Sequence, residues 1–186
     1  KLCSFFHFCF IIKKNQGSLN MLALKINDVK GFMNRLLIGE TFDQFPMAEA
    51  SVTTFNTFSI DGLINKEFFD TDTQDILTQN KTIYSAWREI KPFCFSIIRG
   101  KRTPLQFKIV FQLSPEQFFS IFEEKESDLF SAVSSFSLII QYKNNTLLCT
   151  TGISQIYFSM DKRAEQFWDV SVHNFFRGLG INCESL

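Results

Sequence analysis

Residues 105–113 carry Leu105, Phe107, Ile109, Phe111 and Leu113 at period two, the spacing that sends one set of side chains to one face of a strand. Ser114-Pro115-Glu116-Gln117 follows without a gap. Ser with Gln three residues on is a capping box, and Pro is favoured at the first helical position. A strand therefore ends and a helix begins within two residues, and Phe118, Phe119, Ile121 and Phe122 fall on that helix.

The flanking segments obey the same grammar. Residues 22–26 read as a short strand. Asn27 or Asp28 then caps a helix with Val29, Phe32, Met33 and Leu36 on one face and Gly39 as its stop. Residues 47–60 are rich in β-branched and aromatic side chains. Asp61-Gly62 predicts a hairpin turn, with residues 63–69 as the returning strand. Residues 70–81 (DTDTQDILTQNK) read as a polar loop. Trp87, Ile90, Cys94, Ile97 and Ile98 share a helical face over residues 85–98. Pro92 either kinks that helix or lies in its first turn.

Residues 125–135 read as a linker. Residues 136–142 and 146–150 flank Asn144-Asn145 and read as a second hairpin, with Gly152 turning the chain into residues 153–158. Asp161 caps a last helix bearing Ala164, Phe167, Trp168, Val172, Phe175, Phe176 and Leu179. The fold class is α+β, a mainly antiparallel sheet with packed helices.

Three internal parallels suggest an internal βαβββα duplication: ALKIND before a helix matches VFQLSP before a helix. NTFSIDGLINKEFF matches NTLLCTTGISQIYF, and Trp87 with Arg99-Gly100 matches Trp168 with Arg177-Gly178. The halves would be residues 21–103 and 104–180 of a single α+β domain spanning 21–186. Such a unit is like a sliding-clamp domain by analogy of fold alone, and fold does not fix function.

The first twenty residues do not share this grammar. An apolar run over residues 5–12 precedes Lys13-Lys14, the reverse of a secretory signal. Gln16-Gly17-Ser18 is compatible with a purine-rich ribosome-binding site shortly before Met21. Residues 1–20 thus read as untranslated leader, with a disordered or genuine N-terminal arm as the alternative. Without them 16 basic residues face 19 acidic ones, a net −3.

Composition excludes several classes. At 45% hydrophobic and 20% charged, the chain has the balance of a globular protein. Its zero net charge excludes a polybasic tail coating nucleic acid or anionic membrane. No uncharged apolar stretch reaches about 18 residues, so no membrane insertion is expected. The excess is 24 Phe, which implies either a thick aromatic core or a sticky face.

The runs MLALKINDVKGFMNRLL, SVTTFNTFSIDG and RGKRTPLQFKIVFQLSP resemble an uncharacterised family from clostridial Firmicutes, classed as a domain of unknown function. The resemblance starts at Met21 and runs to the C-terminus. It brings no activity, ligand or catalytic residue. It implies a bacterial cytoplasm, which the few cysteines fit as reduced thiols.

Motifs for chemistry are missing from the sequence. Structural zinc takes about four Cys or His ligands in close pairs; Cys94, Cys149, Cys183 and His173 show no such spacing. No phosphate-binding glycine loop follows a strand, and no nucleophile elbow is present. Cys94 and His173 form the sole Cys/His pair that could be drawn in a core, and packing explains both better. No catalytic residue, metal or cofactor is assigned. The basic cluster Arg88, Lys91, Arg99, Lys101 and Arg102 is the candidate contact for an anion or nucleic acid, against the simpler reading that cations favour a helix C-terminus.

The leading functional expectation is a non-catalytic cytoplasmic module that binds a protein partner or itself as a homo-oligomer. The alternative is a clamp-like protein binding nucleic acid or phosphate. An enzyme without a recognisable motif is the third reading.

Overall fold

The computed structural model describes residues 22–100, 102–124 and 128–186; the leader assigned to residues 1–20 lies outside them. Seven strands form one sheet: β1 (Ala23–Ile26), β2 (Met47–Thr53), β3 (Thr57–Asp61), β4 (Gln106–Leu113), β5 (Val133–Lys143), β6 (Thr146–Gln155) and β7 (Cys183–Ser185). Their order is β3-β2-β4-β5-β6-β1-β7, and every neighbouring pair is antiparallel. The α-helices are α1 (Val29–Leu37), α2 (Thr71–Gln79), α3 (Trp87–Ile98), α4 (Pro115–Phe122) and α5 (Arg163–Gly178). The chain is α+β, as its periodicities predict.

Local chemistry sets the element ends. The Asp28 carboxylate accepts from the Gly31 N–H at the start of α1. Both arms of the capping box form at α4: Ser114 Oγ accepts from Gln117 N–H, and Gln117 Oε1 accepts from Ser114 N–H. Asn144 and Asn145 take φ of 50° and 59° between β5 and β6, the left-handed pair a two-residue hairpin needs. Pro92 lies in the interior of α3 rather than its first turn. Asp161 stands one residue before the cap position Lys162 and accepts from Arg163 N–H.

Five expectations are corrected. The first hairpin turns at residues 54–56, where Thr54 N–H donates to Asn56 C=O, and not at Asp61-Gly62. Gly62 is instead required by close approach, since a Cβ there would stand 1.6 Å from Met47 O. Residues 63–69 form no strand; Asp61 Oδ1 accepts from Leu63 N–H and ends β3, and Lys66–Phe68 is a 3-10 turn. Residues 70–81 hold α2, capped by Asp70 on Thr73 N–H; the helix buries no residue, so its sequence has the polarity of a loop. Gly152 does not turn the chain, because β6 runs through it opposite Ser137. The linker over 125–135 gives way to β5 at Val133, and residues 125–127 are outside the described set. Strand β7 was not foreseen.

Cross-strand register divides the sheet into two faces. Ala50, Ile109, Ile140, Cys149 and Leu24 stand opposite one another in succession across β2, β4, β5, β6 and β1, and all are buried. Above this row lies an aromatic layer. Phe118 of α4 packs on Phe136 with ring centroids 4.6 Å apart and edge-on to Trp168 of α5. Phe42 stacks on Phe111 of β4, and Trp87 of α3 meets the same ring edge-on. Phe32 of α1 meets Phe176 of α5. Of the two readings of the Phe excess, the thick aromatic core accounts for the nine buried phenylalanines among the described residues.

Both buried indoles find acceptors. Trp87 Nε1 donates to Leu36 O at 2.7 Å and Trp168 Nε1 to Ser137 O at 3.0 Å. Each bond ties a helix to a neighbour while its ring fills the core.

The duplication is not confirmed. A repeat would pair β1 with β2 as β4 pairs with β5. Instead β1 joins β6 and β7, and the hairpins β2–β3 and β5–β6 are the sole pairing the halves share. Both proposed halves contribute to one sheet.

Phe118 is fully buried and meets six aromatic rings. Phe118→Ala should destabilise the fold by about 3–5 kcal/mol. Phe55→Ala, at an exposed turn position, should change it by no more than about 0.5 kcal/mol. Urea unfolding followed by tryptophan fluorescence measures both.

Candidate functional site

The fold separates the basic cluster. Arg88 stands in the first turn of α3 and Arg99 caps its C-terminus, so the two are about 16 Å apart along the axis. Lys91 is not free: its Nζ donates to Gly39 O at 2.8 Å and pairs with Asp43 Oδ1 at 2.5 Å, with both side chains largely shielded. That pair holds α3 to the loop before β2. Lys101 lies outside the described residues. Arg99 and Arg102 stay exposed on the α3–β4 connection. Among the described members, Arg88 and Arg99 thus stand at opposite ends of α3, and Lys91 is committed to Asp43.

A pocket of about 450 Å³ opens where β6 passes into α5. Asp128, Ser131, Gln155, Tyr157, Asp161 and Arg163 supply its polar lining. Arg163 is already engaged there: its Nε donates to both Asp161 oxygens at 3.0 Å, and a terminal nitrogen reaches Oδ2 at 2.6 Å. Hydrogen bonds from Arg163 hold the Asp161 carboxyl at about 2. With two carboxylates against one paired guanidinium, the pocket does not suit a phosphate.

The thiols are not arranged for chemistry. Burial pushes Cys94 up to about 11 and raises Cys149 further. No hydrogen bond joins Cys94 to His173. Cys149 and Cys183 lie on strands separated by β1 and are offset by two register positions. Two strand spacings are about 9.5 Å, beyond the reach of a disulfide. Among the described residues no group of three or more His, Cys, Asp and Glu could hold a metal ion. Among the same residues no helix is long and apolar enough to cross a membrane.

The surface that departs most from a solvated one is the excursion over residues 63–84. Its neck closes where Ile64 N–H donates to Ile83 O and Ser85 N–H to Gly62 O. Within it Lys66 Nζ reaches Thr78 Oγ1, and Gln74 Nε2 donates to Phe69 O. The polar contacts order it, and its apolar side chains face outward. Phe68 is 85% exposed, Ile76 56% and Leu63 59%, with Phe69 and Ile83 exposed beside them. Phe68 and Phe69 meet edge-on at 5.4 Å. Glu67, Asp70, Asp72 and Asp75 lie on the same segment. Sequence reasoning missed this surface because α2 reads as a loop. The signal available was Asp70 as a cap before Ile76 and Leu77, immediately after the paired phenylalanines.

The sequence profile of a family of unknown function, DUF5721, matches residues 35–184. That span covers most of the chain, from the middle of α1 into β7. This protein belongs to the DUF5721 family. Comparison with curated proteins and with solved structures finds no match.

Two outcomes check this placement. Lys91→Ala should cost about 1.5–3 kcal/mol, since it strips a charged hydrogen bond from a shielded carboxylate. Arg99→Ala and Arg102→Ala should each stay within about 0.5 kcal/mol; chemical denaturation separates the two classes. In native protein, iodoacetamide should modify partly exposed Cys183 before Cys94 and Cys149, as read by peptide mass mapping over time.

Proposed function

We propose that this chain is a non-catalytic protein-interaction module whose contact surface is the 63–84 excursion. The observation that carries the reading is the grouping of Leu63, Phe68, Phe69, Ile76 and Ile83 on one closed, hydrogen-bonded excursion that buries none of them. Scattered exposed apolar residues are ordinary, whereas a contiguous patch with a polar rim marks an interaction site. The four carboxylates at its edge favour a partner segment that is amphipathic and basic. Unpaired Cys94, Cys149 and Cys183 fit work in a reducing cytoplasm.

The nucleic-acid reading has less support. Lys91 is committed to Asp43, and Arg88 and Arg99 stand at opposite ends of α3.

Selection of a phage-displayed peptide library against the full chain tests the reading. Basic amphipathic peptides should enrich, and Phe68→Ser with Ile76→Ser should weaken them at least about tenfold while leaving the unfolding midpoint in place. No enrichment, or equal binding by the double variant, overturns it.

A further inference from the structure

We infer that the edge of β3 is a self-association surface, on which a second copy of this chain adds antiparallel across a two-fold axis at Ser59. The inference goes beyond the interaction-module reading and concerns a different element, β3, beside the 63–84 excursion.

Backbone alternation defines the free edge. Thr54 N–H bonds Asn56 O at one end of the β2–β3 pair, and Gly62 N–H bonds Ala48 O at the other. In an antiparallel ladder bonded and non-bonded pairs alternate. Phe58 and Ile60 therefore bond β2, opposite Val52 and Ala50. Thr57, Ser59 and Asp61 turn their N–H and C=O groups outward. Among the described residues β3 has no strand on that side.

This outward set is self-complementary. Centred on Ser59, an antiparallel second β3 sets Ser59 against its own copy and Thr57 against Asp61 in both directions. All three are then bonded pairs, and each outward group finds a partner. The axis is perpendicular to the sheet, so the helices of both copies stay on the same side. A closed two-fold contact needs only one such patch.

The ends of β3 differ in a way that suits this arrangement. At the Thr57 end stand Phe55, 86% exposed, and Leu105, whose N–H donates to Thr53 O. Arg99 and Arg102 lie in the connection that joins the sheet there. At the other end stand Asp61, Leu63 and the acidic, apolar excursion. Arg99, Arg102 and Leu105 lead into β4, two strands in from the free edge; antiparallel addition brings the Phe55 end of each copy to the acidic apolar end of the other, twice. Natural edges exclude such pairing with lysine, proline or a bulge; β3 (TFSID) has no lysine or proline, and its pairing with β2 runs in unbroken register. The opposite edge, β7, is three residues long and offers fewer outward groups.

Sedimentation velocity on the full chain, over a concentration series, reads the result. The wild type should reach about twice the 21.6 kDa chain mass. Ser59→Lys and Ser59→Glu place like charges directly opposite at the axis and should each raise the dimer dissociation constant roughly a hundredfold or more. Ser59 is exposed, so each monomer keeps its fold, checked by its circular dichroism spectrum. An equimolar mixture of the two variants should recover the dimer through a Lys–Glu cross-strand pair.

A wild type that stays monomeric, variants that stay dimeric, or a mixture that stays monomeric overturns the inference. Peptide capture dependent on Phe68 and Ile76 would survive any of these. Failure here is therefore distinguishable from failure of the interaction-module reading.

Discussion

The helices α1, α3, α4 and α5 all lie on one face of the sheet, and the aromatic layer between them is the constraint on which the rest depends. Phe118, Trp168 and Phe136 hold α4 and α5 to the strand centre. Phe42, Phe45 and Phe111 do the same for the loop before β2. Rings packed edge to face gain beyond their buried area, but they also demand fixed spacing. The two indole bonds help to fix it, since Trp87 Nε1 donates to Leu36 O and Trp168 Nε1 to Ser137 O. Among the described residues none of these four helices covers the opposite face of the sheet. It carries half-buried Val110, Ile139 and Thr150 among polar neighbours, with Glu49 and Lys108 paired across it.

Elements that bury one face were legible in the sequence, because burial is what imposes period. Strand β4, helix α4 with its capping box and the asparagine hairpin each follow from residues a few positions apart. Elements that bury nothing were not legible. Helix α2 has no core face to leave a periodic signature, and β3 ends at Asp61 through a side-chain bond rather than a turn. Gly62 misled for a related reason: a glycine required by a neighbouring carbonyl looks the same in sequence as one required by a turn. The position of β1 between β6 and β7 was also out of reach. It depends on which strand edge remains open after the centre assembles, a non-local choice that no window of sequence encodes.

The candidate sites divide the same way. Arg88, Lys91, Arg99, Lys101 and Arg102 are close in the chain, and nearness in the chain was the argument for them. A helix rises about 1.5 Å per residue along its axis, so Arg88 and Arg99 are drawn apart over the length of α3. Lys91 between them is bound by an aspartate 48 residues away. The pocket by α5 has the reverse character. Its residues come from the segment leading into β5, the end of β6 and the start of α5, which the β5–β6 hairpin brings together.

The exposed phenylalanines complete the physical picture. A core of this size accepts the rings that fall on α1, α4, α5 and the inner strand face. It leaves Phe55, Phe68, Phe69, Phe93 and Phe158 outside. If these were merely surplus they would be expected to scatter. Phe93 and Phe158 stand apart, but Phe68 and Phe69 share the 63–84 excursion with Leu63, Ile76 and Ile83 at one end of β3, and Phe55 lies at the other. Apolar side chains held by an ordered backbone cost less entropy to dock than the same side chains on a loose loop. The hydrogen bonds that close the 63–84 excursion therefore do more than shape it. They hold exposed apolar side chains on an ordered backbone, tied to the sheet through Ser85 N–H on Gly62 O and Met47 N–H on Ser85 O.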